Sequence, residues 1–147
     1  MRSLYLASVW LHILGAMTWA GGMTIFVLAV MPYFRRRTEA ERAEFLAWFG
    51  RRFRVVSWWC LAILLVTGVF NLWARGVQPG DFLRPQWRST MFGHLVLVKL
   101  TLVAVAVAIT VLHERPGSRA YARWMGRALL VIAVVIVGLA VGLVRAS

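Results

Sequence analysis

Histidines at positions 12 and 94 and the sole lysine, Lys99, stand inside long apolar runs, and Thr67 and Asn71 stand one helical turn apart inside another. Imidazole nitrogens ligate transition metals and haem iron and exchange protons near neutral pH. An ammonium in an apolar run has three outcomes: it snorkels to a polar boundary, loses its proton, or pairs with an anion that a ligand brings. All the acids, Glu39, Glu41, Glu44, Asp81 and Glu114, fall outside the apolar runs, so no carboxylate shares the depth of Lys99. There is no carboxylate pair, Ser/His/Asp set, Cys-x-x-Cys or phosphate loop, and hydrolysis and phosphoryl transfer have no visible machinery. Cys60 is single and reads as a small buried hydrophobe.

The elements that position these residues follow from composition. In 147 residues, 61% are hydrophobic and the net charge is +12, with the arginines gathered between apolar runs. That pattern suits loops beside anionic lipid headgroups and argues against nucleic acid as a partner, which would need basic residues on a folded polar face. Four runs, about 4–32, 55–74, 91–112 and 128–144, are long enough to cross roughly 30 Å of hydrocarbon, and each must be helical because lipid cannot pair an exposed backbone. The expected fold is therefore all-α: one domain, an integral membrane four-helix bundle in the lipid bilayer.

Arginine placement orients the bundle. Residues 35–54 carry Arg35, Arg36, Arg37, Arg42, Arg51, Arg52 and Arg54, and 113–127 carry Arg115, Arg119, Arg123 and Arg127; the opposite side has Arg2, Arg75, Arg84, Arg88 and Arg145. The positive-inside rule places both termini outside and those two loops in the cytoplasm, as for a multi-pass protein of the cell inner membrane. Thr38 and Glu41 form a capping box in TEAERAEFLAWFG, with Phe45, Trp48 and Phe49 on one side, which predicts a short amphipathic interfacial helix between the first and second spans. Tryptophans 58, 59, 73, 87 and 124 fall near span borders as interfacial anchors. Gly138 and Gly142 at GxxxG spacing give the fourth span a packing face, including one for a homodimer.

Counting helix rise from the span midpoints places His12 about 7 Å, Lys99 about 4 Å and His94 about 11 Å outward of centre, with Thr67 and Asn71 also in the outer half. The stripe of His12 holds Ser8, Gly15, Ala16, Trp19 and Met23. His94 and Lys99 differ by about 140° in azimuth, so one of them points elsewhere. A b-type haem fits this set: His12 as one axial ligand, His94 or Lys99 as the other, Gly15, Ala16 and Trp19 shaping the slot, Thr67 and Asn71 as supporting donors, and Arg75, Arg84 and Arg88 meeting the propionates. Such a centre would serve electron transfer or small-molecule redox chemistry with a periplasmic or membrane redox partner, as an oxidoreductase if the chain is an enzyme. Copper is the alternative, on His12, His94 and Met23 or Met91, for transport or resistance. A third reading is an assembly subunit with no cofactor.

The segments WLHILGAMTWAGGM (10–23), RRFRVVSWWCLAILLVTGVFNLWARG (51–76) and FGHLVLVKLTLVAVAVAITVLHE (92–114) resemble the four-helix core of the copper-resistance protein D family. The first-helix histidine followed by W-x-G, with the third-helix lysine, is similar to the HemJ-type protoporphyrinogen oxidases. The first resemblance implies copper uptake across the inner membrane with a periplasmic copper-binding partner; the second implies b haem and oxidation of a porphyrinogen. Lys99 matches the motif lysine of both families, and His12 matches the HemJ-type histidine. His94 stands as a ligand on its chemistry alone.

Overall fold

The computed structural model describes residues 2–113 and 119–145. Every described regular element is helical. The chain divides into two compact units, Met1–Arg75 and Gly76–Ser147.

In the first unit α1 spans Arg2–Ile25 and passes through a π-helical turn, Phe26–Val30, into α2, Met31–Phe34. Pro32 gives the physical reason for the turn: it has no N–H for the carbonyl of Leu28, and its ring would crowd that carbonyl in a regular α-helix, so the backbone widens just before it. Helix α3 spans Glu39–Ala74. Its capping box forms as expected, with the Glu41 amide donating to Thr38 Oγ1 at 3.3 Å and the Thr38 amide donating to Glu41 Oε2 at 2.9 Å. Just outside the helix, the Tyr33 hydroxyl and then the Glu41 carboxylate hold the Arg37 guanidinium above its ordinary pKa.

The interfacial helix expected at 38–50 is not a separate element. It is the first third of α3, which continues unbroken into the second span. Gly50 alone costs a helix about 1 kcal/mol. Stopping there would instead strand a set of backbone donors and acceptors at two new ends. Phe45 and Phe49, expected to face the interface, stack on the rings of Phe34 (4.2 Å) and Phe26 (4.8 Å). Gly76, at φ 82°, takes the left-handed conformation that ends α3.

The second unit begins with a 3-10 turn, Pro79–Leu83, and α4, Pro85–Ser89. Asp81 organises it, accepting from the Gln78 amide at 2.8 Å and from Arg84 Nη1 at 3.1 Å. Helices α5, Met91–His113, and α6, Arg119–Arg145, pack together, and a Cβ on Gly142 would sit 3.6 Å from Leu95 Cδ1. A Cβ on Gly138 would meet open space. The backbone of 114–118 and the side chains of 113–123 lie outside the described residues, and with them His113, Glu114 and Arg115 of the expected inner loop.

Four helical stretches, Arg2–Phe34, Glu39–Ala74, Met91–Leu112 and Trp124–Arg145, are long and apolar enough to cross a membrane. Their large apolar side chains point outward: Leu28 and Val66 are each 71% exposed and Trp59 69%. A water-soluble chain does not carry apolar surface on that scale. The molecule is a multi-pass membrane protein whose outer surface is solvated by lipid.

Candidate functional site

The polar chemistry of the first unit lies in the seam between α1 and α3. These helices run antiparallel, and successive contacts fix the register. Arg75 Nε donates to the Tyr5 hydroxyl at 3.3 Å, His12 Nδ1 meets Thr67 Oγ1 at 2.8 Å, and a Cβ on Gly15 would lie 3.4 Å from Leu64 Cγ. Further along, a Cβ on Gly22 would come within 2.7 Å of Phe53 Cε2. The missing side chains of Gly15 and Gly22 let the helices approach, the usual role of small residues where lipid gives apolar contacts no preference. Buried along the seam are Ser8, Gly15, Trp19 and Met23 from α1 and Ser57, Cys60, Leu61 and Thr67 from α3. The stripe read from the sequence for His12 is therefore the packed face of α1.

The His12–Thr67 contact has a direction. The Thr67 hydroxyl donates its single proton to the Ile63 carbonyl, which can only accept. Thr67 Oγ1 is then an acceptor toward the ring, and His12 Nδ1 must donate. In the neutral imidazole this places the lone pair on Nε2, the tautomer a metal-ligating histidine adopts when its other nitrogen is held by a hydrogen bond. Gly68 lies against the ring, where a Cβ would be in contact at 3.4 Å from His12 Cε1. The sequence marked His12 and Thr67 separately; the pairing and the contribution of Gly68 come from the helix register.

The remaining expected residues have these places. Asn71 is on α3 one turn beyond Thr67, with a buried side-chain oxygen. Arg75 is exposed and held by Tyr5, and Arg84 is exposed and paired with Asp81; Arg88 is exposed at the end of α4. His94 and Lys99 belong to α5 of the second unit, where His94 is exposed and Lys99 half-buried, in keeping with their different azimuths. Sequence reasoning missed the junction before His94. Thr90 Oγ1 donates to the Trp87 carbonyl at 2.6 Å and accepts from the Gly93 amide at 3.0 Å, while a Cβ on Gly93 would lie only 2.1 Å from the Trp87 oxygen. The signal was a Thr-x-x-Gly at the start of an apolar run, a pattern that names a helix N-cap but not the carbonyl lying against it.

Among the described residues no group of three or more His, Cys, Asp and Glu side chains is placed to hold a metal ion. The seam holds one imidazole, half-buried, and further from the Tyr5–Arg75 end the buried side chains of Met23 and Cys60. His12 and Met23 are about 16 Å apart along α1, too far to share one ion.

Four apolar helical stretches among the described residues, with a polar seam between α1 and α3, define a polytopic membrane protein. The family profile for Copper resistance protein D matches residues 47–146, from within α3 to the end of α6, and the chain belongs to that family. A relative in Aquifex aeolicus, described only as an uncharacterized protein, is 29% identical over 151 residues, covering 96% of this chain and 94% of its own length. No solved structure matches.

Proposed function

We propose that the protein moves copper through the membrane along the α1–α3 seam, with copper as cargo. His12 is the imidazole ligand, Thr67 fixes its tautomer, Gly68 packs against the ring, and Met23 and Cys60 are sulfur donors further along. Family membership supports copper as the ion. The observation that supports the assignment to His12 is the relay Ile63 carbonyl, Thr67 hydroxyl, His12 Nδ1, which makes Nε2 the acceptor nitrogen of the neutral ring, as in a metal-ligating histidine. The arginine distribution supports an orientation with the Tyr5–Arg75 end outward.

Proteoliposomes containing the full chain are expected to take up copper faster than empty vesicles, and His12→Ala is expected to remove the increment. Equal flux through the wild type and His12→Ala would overturn the proposal.

A b haem is the second reading, because a haem axial histidine needs the same tautomer. It gains less from the rest of the molecule: of the three arginines suited to propionates, Arg75 is engaged by Tyr5 and Arg84 by Asp81. An absorption spectrum of the purified protein with and without dithionite separates the readings, since a Soret band belongs to haem alone.

A further inference from the structure

One helical turn from the His12–Thr67 pair, toward Tyr5 and Arg75, the seam holds two more polar side chains. Ser8 precedes His12 by four residues and Asn71 follows Thr67 by four, so the antiparallel register brings them to one level. Ser8 is 9% exposed. Its Oγ and the Oδ1 of Asn71 are both buried, and neither has a hydrogen-bond partner.

A buried polar atom left without a partner is destabilising, so two at one level call for an occupant. Helical hydroxyls elsewhere in the chain find a local solution. Thr24, Thr101 and Thr110 each donate to the carbonyl four residues back, at 2.8, 2.9 and 2.8 Å. Ser8 does not take that route, nor does it bond Asn71 directly.

Donor arithmetic identifies what fits. An amide oxygen only accepts, so the occupant must donate to Asn71 Oδ1; a hydroxyl accepts or donates, so it takes a second hydrogen bond of either sense. A fully deprotonated anion has no proton to give, and any anion would be costly at this buried level. A hard cation wants about six oxygens, and the level offers two. A soft copper ion prefers nitrogen and sulfur. We propose that Ser8 and Asn71 bind one water molecule between them, forming a hydrated step in the seam one turn from His12. An ion arriving from the Tyr5–Arg75 end would meet a water oxygen before it meets the imidazole; this last role rests on the copper reading, while the water site does not.

Thermal unfolding of the full chain in nanodiscs tests the site through Ser8→Ala, Asn71→Leu and the double variant. With a shared water, each single substitution strands the remaining group and lowers the melting temperature by a few degrees, and the double variant loses no more than the worse single. A rise in melting temperature for either single, as expected when an unsatisfied group is simply removed, overturns the proposal, as do losses that add. If Asn71→Leu fails to insert, the sign of the Ser8→Ala shift decides. A high-resolution structure is expected to show density about 2.7–3.2 Å from both oxygens; a direct Ser8–Asn71 bond in its place overturns the site. Copper binding unchanged in His12→Ala, with the Ser8–Asn71 coupling intact, would remove the copper reading and leave the water.

Discussion

At the scale of the residue, everything turns on how one imidazole is held. Thr67 commits its own proton to the Ile63 carbonyl, so toward His12 its hydroxyl acts as an acceptor of fixed direction. Replacing it with valine keeps the shape and removes the acceptor. Thr67→Val is expected to weaken copper binding about 10–100-fold, the usual effect of deleting a group that orients a metal-bound histidine. Thr67→Ser is expected to retain most of the affinity, and a competition titration against a copper(I) chelator reads both. The sequence disclosed part of this. A histidine and a threonine in apolar runs are visible as residues that need partners, because lipid supplies none. Which partner each finds depends on helix register, and the donor direction depends further on a backbone carbonyl that no side-chain pattern encodes.

At the scale of the element, glycines set the packing. A Cβ on Gly93 would press on the Trp87 carbonyl, which is backbone and cannot swing aside. Gly93→Ala is therefore expected to cost about 3 kcal/mol, at the upper end of overpacking penalties, and to lower the melting temperature in detergent more than Gly138→Ala, where the added methyl meets open space. Gly15→Leu is expected to push α1 from α3 and to break the His12–Thr67 bond, seen as lost copper binding in a protein that still inserts. Span positions were legible from hydropathy, and the Thr38–Glu41 capping box from spacing alone. The join of 38–50 to the second span was not, because an amphipathic stretch followed by arginines looks the same whether the helix bends away or runs on. Stacking of Phe45 and Phe49 on Phe34 and Phe26 gives the continuous helix its support, and those contacts cross between elements.

At the scale of the whole molecule, lipid replaces water as the solvent for the outer surface of the four apolar helical stretches. The chain is expected to stay in the membrane fraction through a high-pH carbonate wash and to leave it only with detergent; release by carbonate would contradict four crossing helices. Composition made the membrane class plain. Nitrogen donors alone leave haem and copper even, since both centres accept an imidazole, and it is membership of the copper-resistance protein D family that supports the copper proposal. The central claim is that His12 binds the cargo. It is tested most directly by copper(I) titration of the purified, detergent-solubilised chain beside His12→Ala: the wild type is expected to bind copper at a site that the variant lacks, and equal binding by both proteins would contradict the account.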